Sequence, residues 1–274
     1  MADAMLARMK ENSFDASVLD PLVQVLPAEL RQRWLDMVRP AVRFRMREDG
    51  DGPAVWRYGG EPNLPDEMPW PVKEGEGPLN YMGALDCAGI PRHALDIPLP
   101  ADGTLLFFLH DNYAEWESPD RARVVYVPAS AATSPRQLPE ETVDGDNSYD
   151  GEAFLVVDRA VPTMPHTDTY MIDALGIPQN AKNALGGLQW DLDGEVGDWL
   201  YQIGGHPTWI QDPHVESEGF VGTGNEKEDL AYLERDWLLL AMTPDSGDGT
   251  FYWFMRSADL ADGRFDRAVL NFQC

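Results

Sequence analysis

Apolar residues recur at two different spacings along the first fifth of this 274-residue chain. Between Val18 and Val38 they follow a roughly helical spacing that is interrupted at Pro27, where a second helix can begin because proline at a first helical position loses no needed donor. From Ala41 to Asp49 they alternate with arginines, which is the period of a half-buried strand. The pattern therefore predicts two short N-terminal helices followed by a β-strand.

Beyond this strand, short apolar runs alternate with clusters of Gly, Pro and Asp. The runs are rich in aromatic and β-branched residues, as strands are, and read LNYMGAL, TLLFFLH, ARVVYVP, AFLVVD, WLLLAM, TFYWFMR and AVLNF. Helical material is expected between Thr169 and Trp199, where TYMIDALG ends on Gly176 with Pro178 just beyond. No glycine-rich turn leads from a strand into a long helix. The predicted fold class is therefore mainly β (α+β), with N-terminal helices and a short mid-chain helical segment.

Two short sequence phrases from the first half of the chain recur, in the same order, in the second half. The phrase Gly59-Gly60-x-Pro62 returns as Gly204-Gly205-x-Pro207, and at nearly the same offset DGTLLFFLH from Asp102 matches DGTFYWFMR from Asp248. Between these pairs, Ala84 and Ala241 align more weakly. We interpret the matches as an internal duplication that builds a roll of antiparallel sheets, because repeated units hide one hydrophobic face against the other.

The duplication suggests a division of the chain. We predict an N-terminal helical segment over residues 1–40, packed on the body, and one duplicated β-rich domain over residues 41–274. The expected half-repeats are about 41–150 and 185–274.

Charge is the strongest compositional deviation. The chain carries 47 acidic residues against 21 Lys and Arg, a formal net charge of −26 at pH 7. Such a field repels phosphate backbones and anionic lipid surfaces, so neither nucleic acid nor a membrane is an expected partner. A basic protein or a cation fits the charge, although a charge of this size also serves solubility alone.

Cysteine content and the N-terminus bear on location. Only Cys87 and Cys274 are present, too few for a disulfide framework or a cysteine-based zinc site. The first twenty residues lack the unbroken apolar stretch of a signal peptide, and no run approaches the ~18 apolar residues of a membrane span. We expect a cytoplasmic protein.

The sequence offers little metal or catalytic chemistry. His206 and His214 flank Asp212, but their spacing matches no standard zinc pattern, so no metal or cofactor is expected. The acidic turn at Asp144 to Glu152 imitates the start of a calcium loop, yet Val157 takes the place of the bidentate acid, which favours a plain turn. Neither a Gly-x-Ser-x-Gly elbow nor a P-loop is present.

The candidate binding residues cluster around the two glycine pairs. Each pair has a structural explanation, a turn that requires positive φ, and a less favoured one as a ligand loop. A tryptophan follows each pair and is either a binding anchor or a plug of the core. The candidates are Arg57, Gly59, Gly60, Trp70, Asp86, Gly204, Gly205, His206, Trp209 and Asp212.

An ordered series of motifs resembles the YwqG-like family of bacterial proteins of unknown function. The series includes Arg57-Tyr58-Gly59-Gly60-x-Pro62, Met68-Pro69-Trp70-Pro71, Val124-Val125-Tyr126-x-Pro128, Gly204-Gly205-x-Pro207 and the closing Phe272-Gln273-Cys274, and the resemblance runs from about Arg39 to the C-terminus. It implies a mainly β, roll-like fold with internal duplication and brings no catalytic set. Members look like binding or defence-associated proteins, some encoded near polymorphic toxin systems. Where the family commonly has Lys before the aromatic and glycines, this chain has Arg57 and Gln202.

Three hypotheses for function follow. The first is a non-enzymatic cytoplasmic binding protein, immunity-like or defence-associated, that binds a basic protein partner. The alternative is a hydrolase or small-ligand-binding enzyme with its site at the junction of the two half-repeats, drawing on Arg57, Asp86, His206 or Asp212. A sugar-binding module that uses the tryptophans is the third.

Overall fold

The structure, a computed structural model, describes residues 16–110, 121–137, 139, 152–193, 201–211, 236–244 and 249–274. Its strands are β1 (Arg39–Met46), β2 (Trp56–Tyr58), β3 (Asn63–Pro65), β4 (Val72–Lys73), β5 (Gly77–Pro78), β6 (Asn80–Asp86), β7 (Thr104–Leu109), β8 (Ala122–Val127), β9 (Thr133–Pro135), β10 (Ala153–Thr163), β11 (Gln202–Gly204), β12 (Trp237–Pro244), β13 (Thr250–Arg256) and β14 (Val269–Gln273). The helices are α1 (Asp20–Val25), α2 (Ala28–Leu35), α3 (Tyr170–Leu175), α4 (Gln179–Asp193) and α5 (Ser257–Ala261).

The predicted helix boundaries agree closely with the structure. The break at Pro27 separates α1 from α2, with the proline at the N-cap of α2 rather than at its first helical position. Gly176 ends α3 in the left-handed region with φ 69°, as the Gly-x-Pro stop signal predicts. Among the described residues, none of the helices combines the length and apolar character needed to cross a bilayer.

Ten of the strands form one antiparallel sheet that closes almost completely into a barrel, so the mainly β prediction is confirmed. The order is β14-β13-β12-β11-β1-β10-β2-β6-β7-β8, which leaves β14 and β8 as the two edges. The edges approach each other, and Arg121 Nη2 donates across the gap to the carbonyl of Leu270 at 3.4 Å. Phe265, in a short 3-10 turn, packs on Tyr126 beside the same gap, with ring centroids 6.0 Å apart.

The strand order has the same form from either edge, with β1 and β10 at its centre. Arg45 lies opposite Val156, and the flanking pairs Phe44 with Val157 and Met46 with Leu155 are related by a pseudo-twofold axis through that pair. β1 then pairs with β11, while β10 pairs with β2. The sheet thus contains two equivalent sets of strands, the first made of β1, β2, β6, β7 and β8 and the second of β10 to β14. The first strand of each set pairs with the second strand of the other set.

A β-bulge occurs at the same place in each set of strands. In β6 the register shifts between Tyr81 and Gly83, and in β12 it shifts between Leu239 and Ala241. Gly83 lies opposite Phe107, the counterpart of the Trp253 that faces Ala241. The structural match of Ala241 is therefore Gly83, and the alignment with Ala84 is wrong by one residue, because the bulge rather than residue identity sets the register.

In the second set of strands, the structural repeat begins well before the repeated sequence phrase at Gly204. Its first strand, β10, starts at Ala153 and takes the place that β1 takes in the first set. The division into half-repeats at about 41–150 and 185–274 stays an interpretation of the sequence.

Aromatic side chains from both sets meet inside the barrel. The fully buried ring of Trp56 lies 5.5 Å from Phe44, 5.5 Å from Phe107 and 5.8 Å from Tyr201. Phe107 in turn lies 5.1 Å from Trp253. Because each ring buries a large apolar area, this cluster holds the two sets of strands together.

The four helices α1 to α4 form a second hydrophobic layer at one end of the β1–β10 ladder. Their core contains Leu22, Trp34 and Ile172, and it extends to Val38, just before β1, and Met164, just after β10. The helices therefore cover the end of the ladder at which Arg39 pairs with Thr163.

We predict that Trp56→Ala lowers the free energy of unfolding by about 3–5 kcal/mol, since it removes a buried ring that contacts both sets of strands. Phe154→Ala is the matched control, because Phe154 is 42% exposed on the outer side of β10 and its loss is expected to cost about 1 kcal/mol or less. Urea unfolding followed by circular dichroism measures both. Equal losses for the two variants would contradict the central role of Trp56.

Candidate functional site

The two glycine pairs form matching turns. Gly59 and Gly60 have φ 72° and 72°, and Gly204 and Gly205 have φ 70° and 72°. Space is also short: a Cβ on Gly60 would lie 2.3 Å from Glu152 Oε1, and one on Gly205 would lie 2.4 Å from Thr163 Oγ1 and 2.8 Å from the Cβ of Ala41. The positive φ explains the recurrence of the phrase in both turns, and close packing adds to it at Gly205, since the exposed Glu152 side chain beside Gly60 can move away.

One hydrogen bond closes each turn, and it is supplied by different side chains. Arg57 Nη2 donates to the carbonyl of Glu61 at 2.6 Å, and Gln202 Nε2 donates to the carbonyl of His206 at 2.9 Å. The fully buried Gln202 also accepts from Arg43 Nε at 3.3 Å. Arg57 and Gln202 therefore make the same contact in the two turns.

His206 ties the second turn to the helical layer. Its ring Nε2 lies 2.7 Å from the carbonyl of Met37, and its backbone N–H donates to Thr163 Oγ1 at 2.7 Å. Desolvation, together with the positive charge of Arg39, lowers the pKa of His206 to about 4. A neutral imidazole therefore donates from Nε2 to the carbonyl at neutral pH.

The first turn is more open than the second. Gly60, Glu61 and Glu152 are exposed, whereas Gly205 is buried under the segment that carries Met37. The two copies thus share a backbone but differ in what covers them.

Trp70 and Trp209 take related places on the outer face of the sheet. Trp70 packs edge-on against Phe108 at 5.6 Å and donates from Nε1 to the carbonyl of Leu79 at 2.8 Å. Trp209 stacks on Phe254 at 5.7 Å, and Phe254 is the counterpart of Phe108 in the strand register. Both rings cover apolar side chains, which supports their structural interpretation.

Asp86 has a local role. Its Oδ1 accepts from the backbone N–H of Ala88 at 3.0 Å and so caps the 3-10 turn Cys87–Gly89. Burial, with the nearby charge of Asp86, raises the pKa of the Cys87 thiol to about 12. A thiol that stays protonated at neutral pH is a poor nucleophile.

Two of the predicted features fall outside the described residues. These are Asp212, with the neighbouring His214, and the acidic turn at Asp144 to Glu152 apart from Glu152 itself. The predictions made for them stay predictions.

Of the residues proposed for an enzymatic site, Arg57 and His206 lie apart in the sheet. Arg57 lies on β2 and His206 follows β11, so β10 and β1 separate them. The inner face between the two sets of strands is filled by the rings of Phe44, Trp56 and Tyr201.

Sequence reasoning missed a buried polar cluster beside β7. Lys73 Nζ lies 2.6 Å from Glu76 Oε1, and Glu76 Oε2 lies 3.5 Å from His110 Nε2, with the Lys73 and His110 side chains 3% and 4% exposed. The only signal is the tight hairpin VKEGEGP, which gives no sign of burial. Within the described segments, no group of three or more His, Cys, Asp or Glu side chains could hold a metal ion.

The fold defines the class of protein: a nearly closed, ten-stranded antiparallel barrel with pseudo-twofold strand order and two matching glycine turns. The chain belongs to the family described as Domain of unknown function (DUF1963), whose family model matches residues 57–274. The match therefore starts at Arg57, in the strand that leads into the first glycine turn. A search of curated proteins returned no match to this chain.

We predict that Gly205→Ala destabilises the protein by about 2 kcal/mol or more, because the new Cβ meets Thr163 and Ala41 in a left-handed backbone. Gly187→Ala is the matched control: Gly187 lies in α4 with open space around it, so alanine is expected to stabilise by about 0.5–1 kcal/mol. Thermal unfolding of both variants checks the opposite signs. Two changes of the same sign would refute the close packing at Gly205.

We predict that His206 makes the protein sensitive to acid. The folded state holds its pKa near 4, below the 6.5 of a free histidine, so only the unfolded state gains a proton as the pH falls from about 6.5 to about 4. Relative to His206→Gln, the wild type should therefore lose about 2 kcal/mol of stability across this window. Urea titrations from pH 7.5 to 4 measure it, with His93→Gln, at an exposed histidine, as the control. A loss of the same size in His206→Gln would rule out this assignment.

Proposed function

We propose that this protein is a non-enzymatic cytoplasmic binding protein, immunity-like or defence-associated, that engages a basic protein partner. The observation that carries the proposal is the charge: 47 acidic residues against 21 Lys and Arg. We also propose, from the ordered motifs, that within its family the chain is one of the YwqG-like proteins.

The placement of the basic side chains supports an outward negative field. Among the described residues, the ion pairs that use a Lys or Arg include Arg39–Asp96, Arg45–Asp51, Lys73–Glu76, Lys182–Asp173, Arg256–Asp236 and Arg264–Asp259. Further arginines donate to backbone carbonyls, among them Arg31, Arg47, Arg57 and Arg136. These cations are engaged within the fold, and the chain retains a surplus of acidic residues that can face other molecules.

An acidic surface of this kind favours association with a cationic protein. Complementary charge steers the encounter and rejects acidic competitors, and its contribution falls as salt screens it. The packed interior favours such a surface interaction over an enzymatic site at the junction of the two sets of strands, which the rings of Phe44, Trp56 and Tyr201 fill.

The proposal predicts salt-sensitive capture of a basic partner. The immobilised protein should retain a stoichiometric basic protein from source lysate at about 50 mM salt and release it at about 500 mM, where the Debye length shrinks to a few ångströms. An unrelated protein of similar net charge is the control for general polyanion binding. Failure to retain any stoichiometric protein at low salt, or retention of the same set by the control, would sink the proposal.

A further inference from the structure

The outer face of the sheet carries a mixed group of side chains beside the first glycine turn. Phe154, on β10, lies directly opposite Arg57, on β2, so their side chains are neighbours on one face of the sheet. Glu152 precedes Phe154 by two residues, and its carboxylate lies against Gly60 in the turn. An aromatic ring, a cation and an anion therefore meet at this turn.

The hydroxyl group of Tyr81, on β6, belongs to the same group. Its oxygen is buried and lacks a hydrogen bond of good geometry within the described residues. Burial raises the pKa of Tyr81, a polar contact with Arg57 lowers it, and the charge of Glu152 raises it. Both charged side chains therefore lie close to this hydroxyl group.

The second glycine turn shows the same place in a closed form. Arg43 lies opposite Gln202 there, and Phe154 takes the equivalent place beside the first turn. Arg43 Nε donates to Gln202 Oε1 at 3.3 Å, and both side chains are buried. Phe154, in contrast, is 42% exposed. The first copy thus leaves open a surface that is buried in the second.

The charges beside the ring favour a neutral ligand. Arg57 repels a cation that would stack on Phe154. Glu152 and Glu61, both exposed, repel an anion that would pair with Arg57. Hydroxyl groups avoid both penalties, because one can accept from a guanidinium while its neighbour donates to a carboxylate. A ligand that carries adjacent hydroxyl groups on an apolar ring face therefore fits this surface.

We propose that the surface formed by Phe154, Arg57, Glu152 and Tyr81 is a binding site for a neutral sugar ring. The apolar face of the sugar packs on Phe154, and adjacent hydroxyl groups bind Arg57 and Glu152. The site goes beyond the proposed association with a basic protein and does not depend on the net charge. Because it offers a single exposed ring, one sugar unit should bind with a Kd of about 1–10 mM.

Saturation-transfer difference NMR on the full-length protein tests the site. The probes are the methyl glycosides of glucose, galactose, mannose and N-acetylglucosamine, each titrated to about 30 mM so that millimolar binding approaches saturation. Ethylguanidinium and acetate, titrated in the same way, represent a cation and an anion. We expect at least one glycoside to bind in the stated range, and neither ion to bind in a manner that depends on Phe154.

Matched variants locate the site. Phe154→Ser should weaken binding of that glycoside about tenfold or more, because the apolar platform is lost, and Glu152→Gln about threefold or more, because an amide is the weaker acceptor. Phe154→Trp keeps an aromatic platform and should stay within about threefold of wild type. Val72→Ser, at an apolar residue of β4 that is 56% exposed, is the control and should stay within about twofold. Thermal midpoints confirm that all four variants are folded.

The outcomes decide between the ligand classes. Binding of none of the four glycosides, or glycoside binding that Phe154→Ser leaves unchanged, would overturn the sugar site. Ethylguanidinium binding that Phe154→Ser abolishes would also overturn it and assign the surface to a cationic side chain of the basic partner. Capture of a basic protein is a separate measurement, so its failure would leave the sugar site standing.

Discussion

The exchange of first strands at the centre of the sheet is the constraint on which the rest of the structure depends. β1 is held by β10 and β11, and β10 is held by β1 and β2, so neither set of strands is complete without the other. The ring of Trp56, on β2, lies beneath this exchange and touches Phe44 on β1 and Tyr201 just before β11, across the β1–β10 ladder. A single barrel with a common core is the result.

The exchange also fixes where the two glycine turns can differ. Their backbones and closing hydrogen bonds agree, because each turn must connect equivalent strands in the same register. Their surroundings do not agree, because the layer formed by α1 to α4 lies at one end of the central ladder. His206 is the side chain that adapts the second turn to that cover, and Glu61, its counterpart, faces water.

Local signals in the sequence predict the helix boundaries and the two glycine turns. Pro27 and Gly176 mark helix boundaries for steric reasons that hold in any fold, and the glycine pairs mark turns because positive φ is costly for other residues. The match of Trp70 with Trp209 was also within reach, since both follow the same turn at similar distance. These features depend on neighbours in the chain.

The remaining features depend on contacts between distant residues. The counterpart of Ala241 is Gly83 because a bulge shifts the register, and bulges leave no reliable mark in a single sequence. The sequence matches the positions of Arg57 and Gln202, but their shared contact is hidden, because a guanidinium and an amide look unrelated until both are seen to reach a carbonyl across the turn. The burial of Lys73 and His110 is likewise set by packing that no local pattern records.

The central position of β1 has a consequence for biosynthesis. Its partners are β10 and β11, at Ala153–Thr163 and Gln202–Gly204, and the separation along the chain is 124 residues for Arg39 and Thr163 and 159 residues for Arg43 and Gln202. A nascent chain that has emerged only as far as β8 therefore exposes both edges of β1 and an unfilled aromatic core, and loop closure over that length is slow. The barrel cannot close before β10 to β14 have emerged, and until then the nascent chain needs protection from pairing with the wrong edge.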